Sequence, residues 1–204
     1  MTKKILEMSN GEIKTALSSG SITVCVVGIG RIGLPTALSF ANSGLTTIGL
    51  DINSKLVENV NSGIYPLKDE PDYDIIFDKV IKEKKFFATT NIEESVSKAD
   101  VVLLSLPTPM DKNNVPDYSA LRSVGSQLSE YLQEGSLVIV ESTIEPGFVE
   151  NELISIIENS KKRLTVEKNF GIGVCPETAN PGEIMIDFTK LPRLVAGITE
   201  NISQ

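Results

Sequence analysis

Three glycines, one aspartate and a few oxygen-bearing side chains at strand ends hold the chemistry of this sequence. Gly28, Gly30 and Gly33 stand in the spacing GxGxxG, after an apolar β-branched run from Ile22 to Val27 and at the start of an apolar-periodic segment from Ile32 to Phe40. Gly44 is the helix stop, and a second apolar run, Thr46 to Leu50, ends in Asp51. Alone the spacing is weak evidence, because glycine is common. Between a strand and a helix, with an acid at that distance, it is what a dinucleotide-binding βαβ unit requires. Gly28 permits the sharp exit from the strand, Gly30 lets a diphosphate approach the backbone, and Gly33 lets the helix pack on the strand. The unpaired N–H groups of the first helical turn then face the diphosphate. Asp51 would accept from ribose hydroxyls and repel a 2′-phosphate, favouring NAD over NADP. The competing reading is a glycine turn in an α/β protein that binds nothing, with Asp51 a solvated cap.

The elements that must position these residues suit one α/β domain, or one and a fraction, at 204 residues. The chain has no His, which removes histidine bases, His-ligated metals and Ser–His–Asp or Cys–His pairs. Acid–base work falls to carboxylates, lysines, tyrosines or bound water. A net charge of −8 without a basic block argues against a nucleic-acid or anionic-membrane partner. An anionic cofactor must then be held locally. Cys25 and Cys175 have no metal-ligand spacing and read as buried thiols in a reducing cytoplasm, so no metal site is expected. No apolar run reaches the roughly 18 residues of a membrane span, and the first 21 residues lack a signal-peptide core, which predicts a cytoplasmic protein.

Residues 1–20 read as a helical extension. Within it Ile5, Leu6, Ile13 and Leu17 form an apolar stripe interrupted at Asn10-Gly11. Residues 21–204 read as a doubly wound parallel sheet, a Rossmann-type NAD-binding domain. Asn53 caps a helix that stops at Gly63; the acidic stretch from Tyr65 to Asp74 departs from plain alternation; a helix spans Tyr73 to Lys84. Strands are predicted at Phe86–Thr89, Val101–Leu106, Leu137–Val140, Phe170–Val174 and Arg193–Ile198, with helices at Ile92–Lys98, Asp117–Gln133 and from Pro146 to about Glu158. Pro107 and Pro109 around Thr108 force a stiff loop at a strand's carboxyl end, the edge where ligands bind in open α/β sheets. Thr108, Thr143 and Glu177 fall on that edge, although loop capping would also explain each. Arg31 reads equally as a phosphate contact or a solvated helix residue.

Four phrases occur in order at these strand ends: GIGRIGLPTA (28–37), LPTP (106–109), ESTIEPG (141–147) and PETANPGE (176–183). Together they resemble the UDP-sugar 6-dehydrogenase family, over a stretch from about Ile22 to Gly197. The PDYSAL run and Pro181, where the glucose branch carries a second glutamate, look more like the UDP-N-acetylhexosamine branch. The resemblance implies oxidation of a sugar C6 alcohol to a carboxylate with two NAD molecules, through a thiohemiacetal and a thioester on a cysteine. It implies Arg31 and Ile32 at the pyrophosphate, Asp51 at the ribose, and Pro107, Thr108 and Thr143 at the nicotinamide side. Glu177 would position or deprotonate water during thioester hydrolysis, with Thr143 beside it. Thr178 and Ala179 would touch the UDP-sugar. Arg31 replaces a frequent Tyr, and Thr178 a frequent Arg.

The family's nucleophilic cysteine and catalytic lysine are expected beyond Gln204, so the chain alone should bind NAD and turn over little sugar. A homodimer or higher homo-oligomer is expected of the full enzyme. Alternative readings are a UDP-glucose 6-dehydrogenase, a 3-hydroxyacid dehydrogenase, or a stand-alone NAD-binding module without catalysis.

Overall fold

The computed structural model describes residues 3–68, 70, 73–159, 161–180, 182–199 and 202. A seven-stranded sheet forms the middle layer, from β1 (Thr23–Val27), β2 (Thr46–Leu50), β3 (Phe86–Thr89), β4 (Val101–Leu104), β5 (Ser136–Val140), β6 (Phe170–Val174) and β7 (Ala196–Gly197). Its spatial order is β3-β2-β1-β4-β5-β6-β7; the first six strands are parallel and β7 is antiparallel to β6. The chain reverses direction across the sheet between β1 and β4, which opens a crevice at the carboxyl ends of those strands. Registers keep the ends level: Val27 pairs with Leu50 and Leu104, Leu104 with Val140, and Val140 with Val174.

The strands are apolar on both faces because helices cover both. On one side, Val24, Val26, Leu34, Leu38 and Phe77 close a core under α2 (Gly33–Asn42), α3 (Ser54–Asn61) and α4 (Tyr73–Lys82). On the other, Cys25, Val102, Leu104, Leu121, Leu128 and Ile157 pack under α5 (Ile92–Val96), α6 (Ser119–Tyr131) and α7 (Ile154–Glu158). A π-helical stretch, Val149–Leu153, leads into α7, and α8 (Ile184–Lys190) precedes β7. The side chains of Asn53 and Asn91 accept the Leu56 and Glu94 N–H groups and start α3 and α5. Asp117 accepts from Ser119 N–H at the start of α6.

Several boundaries differ from expectation. The N-terminal break is not at Asn10-Gly11. Ser9 and Glu12 form a capping box that starts α1 (Asn10–Ser19) at that dipeptide, after a 3-10 turn at Ile5–Glu7. Leu17 is exposed, while Ile5 and Ala16 are buried. The ladder of β4 ends at Leu104, and Leu106 N–H turns to the Ser142 hydroxyl instead. The last strand is cut to two residues. It lies so close to Gly173 that a Cβ there would meet the Ala196 oxygen at 2.8 Å, while Leu194 and Val195 stay 77% and 70% exposed. No helix among the described residues is long and apolar enough to cross a membrane.

Candidate cofactor and catalytic cleft

A cleft of about 730 Å³ opens at the crevice between β1 and β4. The glycine turn forms one wall. Gly28 has a φ of 88°, and a Cβ on it would stand 2.5 Å from the Ser105 oxygen. A Cβ on Gly33 would stand 1.8 Å from the Gly28 oxygen, so the helix meets the turn closely only without a side chain. At Gly30 a Cβ would meet nothing within 4 Å, and this bare backbone lines the cleft together with Arg31 and Ile32. Asp51 faces the same space. Its Oδ2 accepts from Ile29 N–H at 3.1 Å and its Oδ1 from Asn53 N–H at 2.9 Å, so the carboxylate is fixed yet keeps lone pairs on both oxygens. Bare backbone at a helix start, with an oriented acid across the crevice, fits the diphosphate and ribose of a dinucleotide.

The opposite wall comes from the ends of β4, β5 and β6. Pro107, Thr108, Thr143 and Glu177 line it. The Thr108 hydroxyl donates to the Thr143 carbonyl at 2.8 Å and ties the two loops together. Ser142 Oγ donates to Leu104 O at 3.1 Å while accepting from Leu106 N–H at 2.9 Å. Of the residues singled out from the sequence, Gly33, Thr178 and Ala179 do not line the cleft. The N–H groups of Thr178 and Ala179 both donate to Glu177 Oε1 at 2.7 Å, so those residues hold the carboxylate's turn. Pro181 lies outside the described residues.

Sequence reasoning missed the cluster behind Glu177. Glu141, at the end of β5, lines the cleft although it is only 2% exposed. Its Oε1 accepts from the Thr36 hydroxyl of α2 and from Arg193 Nη2, each at 3.1 Å. Arg193 Nη1 lies 2.6 Å from Glu177 Oε2, so one guanidinium joins two carboxylates. Burial pushes the Glu141 carboxyl up; hydrogen bonds from Ser105 and Arg193 pull it down, and the Glu177 charge pushes it up again, leaving it above the usual range. Burial works against the charge on Arg193, but Cys175, Glu177 and Glu141 outweigh that and raise its pKa. Glu141 carried one signal, an acid directly after an apolar strand. Arg193 carried none, since its partner lies 52 residues away in sequence.

Neither cysteine is placed as a nucleophile in this cleft. Cys25 is buried in β1, and burial pushes its thiol up to about 12. Cys175 is half-buried beside Arg193 and does not line the cleft. Among the described residues no three His, Cys, Asp or Glu side chains gather to hold a metal ion.

Residues 22–204 match the model of the UDP-glucose/GDP-mannose dehydrogenase family, NAD binding domain. The chain belongs to this family, as its NAD-binding domain. It is 33% identical, over 87% of its length, to the UDP-N-acetyl-D-mannosamine dehydrogenase of Pyrococcus horikoshii, and spans 41% of that relative. The Escherichia coli K12 protein of the same name is 32% identical over 87% of this chain, which spans 42% of it. Among solved structures, an NDP-N-acetyl-D-galactosaminuronic acid dehydrogenase from Methanosarcina mazei superposes with a TM-score of 0.83 at 29% identity, covering 98% of this chain and 43% of that one. The chain thus spans well under half the length of these relatives.

Proposed function

We propose that this domain serves an enzyme that oxidises the C6 hydroxyl of a UDP-N-acetylhexosamine, the mannosamine or glucosamine sugar, to the uronic acid. The observation that carries the reading is a carboxylate wall, Glu177 beside the tied Thr108–Thr143 loops, across one cleft from the glycine turn. Relatives named UDP-N-acetyl-D-mannosamine dehydrogenase at 31–33% identity favour the N-acetylated sugar. When bound, NAD accepts the hydride. Gly28 and Gly30 give the backbone approach to its diphosphate, flanked by Arg31 and Ile32, while Gly33 lets α2 pack against the turn, and Asp51 accepts from its ribose. Pro107, Thr108 and Thr143 shape the nicotinamide end. Glu177, held by two backbone N–H groups and Arg193, orients a water molecule for hydrolysis of the acyl intermediate. Thr178 and Ala179 border the sugar side.

The same reading takes residues 1–20 as an accessory helical extension and residues 21–204 as the cofactor domain. It places the enzyme in the cytoplasm as a homo-oligomer, with neither nucleic acid nor membrane as partner. Calorimetric titration of the chain with NAD, NADP and a panel of UDP-sugars tests the proposal. NAD is expected to bind at least about tenfold more tightly than NADP, because Asp51 repels the 2′-phosphate. The chain alone is expected to give no sustained NADH formation; steady turnover would sink the division of labour proposed here.

A further inference from the structure

The cleft carries different charges at its two ends. Among the described residues that line it, Arg31 and Asp51 stand at the side of the glycine turn, whereas the charged side chains at the ends of β5 and β6 are Glu141 and Glu177. The two acids are neighbours by register: Val140 pairs with Val174, and Glu177 N–H donates to Glu141 O at 3.3 Å. Arg193, the guanidinium that joins them, stands behind the wall and does not line the cleft. Two carboxylates thus share one cation, and they, not it, border the ligand space.

Both acids are fixed. Glu141 Oε1 accepts from the Thr36 hydroxyl and from Arg193 Nη2, each at 3.1 Å, and its side chain is almost wholly buried. Glu177 Oε1 accepts from the Thr178 and Ala179 amides at 2.7 Å, while its Oε2, 2.6 Å from Arg193 Nη1, is buried and makes no hydrogen bond. Water screens buried charge weakly, so a fixed pair of this kind imposes its field on whatever enters the cleft. A dinucleotide with its diphosphate on the glycine turn and its adenosine ribose on Asp51 runs on across β4, because β2 and β4 flank β1 on opposite sides. Its nicotinamide end then lies toward the carboxylates. That ring is a cation when oxidised and neutral once it has accepted hydride.

We propose that Glu141 is a specificity-determining residue for the cofactor's redox state: with Glu177 it sets a net negative field at the nicotinamide end that favours the oxidised ring over the reduced one. The inference rests on the cleft's reading as an NAD site, and gives Glu141 a role separate from the water that Glu177 orients. Oxidised and reduced rings are nearly the same size, so charge is what tells them apart. Glu141→Gln keeps an oxygen for Thr36 and Arg193 at nearly equal volume and brings the wall to neutrality. Arg193→Gln moves it the other way.

The test is calorimetric titration of the chain with NAD+, NADH and ADP-ribose, which has the adenosine and diphosphate but no nicotinamide. It is run at pH 8, which favours the ionised form of a carboxyl raised by burial. In Glu141→Gln the ratio of the NADH to the NAD+ dissociation constant is expected to fall about three- to tenfold, the effect of one charge in a partly buried site. ADP-ribose binds as in the parent. In Arg193→Gln the ratio rises, and adding Glu141→Gln returns it to near the parent's value. This second pair of variants decides the matter even if Glu141→Gln alone fails to fold. An unchanged ratio in Glu141→Gln, or a ratio in Arg193→Gln that the second substitution does not lower, overturns the proposal. A loss of NAD+ affinity matched by ADP-ribose also overturns it, since the effect then lies in the cradle. A parent that binds neither NAD+ nor ADP-ribose removes the cofactor reading itself; one that binds both, with a ratio that Glu141→Gln does not move, leaves that reading standing and removes only the role of Glu141.

Discussion

A methyl group at position 33 would stand 1.8 Å from the Gly28 carbonyl oxygen, whereas at position 30 it would meet nothing within 4 Å. The contrast separates a glycine needed for packing from one needed for ligand approach. Gly33→Ala forces backbone against backbone and is expected to cost at least about 2 kcal/mol of stability. Gly30→Ala should leave stability within about 0.5 kcal/mol while weakening NAD, since its methyl group fills the space left for the diphosphate. Urea unfolding and NAD titration of the two variants in parallel check this. Equal destabilisation by both would show that the turn is strained throughout rather than opened at one point.

At the scale of elements, the cleft's second wall depends on how the ends of three segments are tied. Arg193, from the segment before β7, joins Glu141 at the end of β5 to Glu177 at the end of β6. Arg193→Met leaves Glu141 buried beside a second carboxylate without its counter-ion. The expected loss is about 1–3 kcal/mol, below the figure for a fully buried pair because 26% of the Arg193 side chain is open to water. Adding Glu141→Gln should recover part of that loss in chemical denaturation, and no recovery would disprove the coupling. Much of this architecture was legible from local pattern. The strands at Phe86–Thr89 and Phe170–Val174 stand where apolar runs between turn residues put them. Thr108, Thr143 and Glu177 were traceable because strand ends in a parallel sheet share one edge. Arg193 was not traceable, since it acts on partners distant in sequence and no periodicity reports such a pair. The final strand was overestimated because the run from Arg193 to Ile198 is β-like in composition, while the approach to Gly173 admits only two residues to the ladder.

For the molecule as a whole, the pH dependence of stability carries two opposite signs. Glu141 has its carboxyl raised in the fold by burial, so it favours the protonated form. The stability it contributes is present below the ordinary carboxylate range and is lost as pH rises through its folded value. Glu12 is held down at about 2 by hydrogen bonds from Lys3 and Ser9, so its contribution is lost only as pH falls toward that value. Urea midpoints across pH 4 to 8 should therefore decline for the parent relative to Glu141→Gln, with the gap opening above the ordinary carboxylate pKa of roughly 4.3. Parallel curves would remove Glu141 as the titrating group.

The central position of β1 sets a timetable for the chain's birth. Its Thr23 amide is held by the Asp100 carboxylate, 77 residues later, and its second edge is closed only by β4. At roughly 5–20 residues per second of synthesis, that edge waits about 4–15 s after β1 emerges. The first βαβ unit can bind no cofactor in a finished crevice during that interval, because the wall supplied by β4 has yet to be made. Closure of the crevice thus waits for the fourth strand, and a pause in translation before residue 101 would prolong the exposure of the open edge of β1.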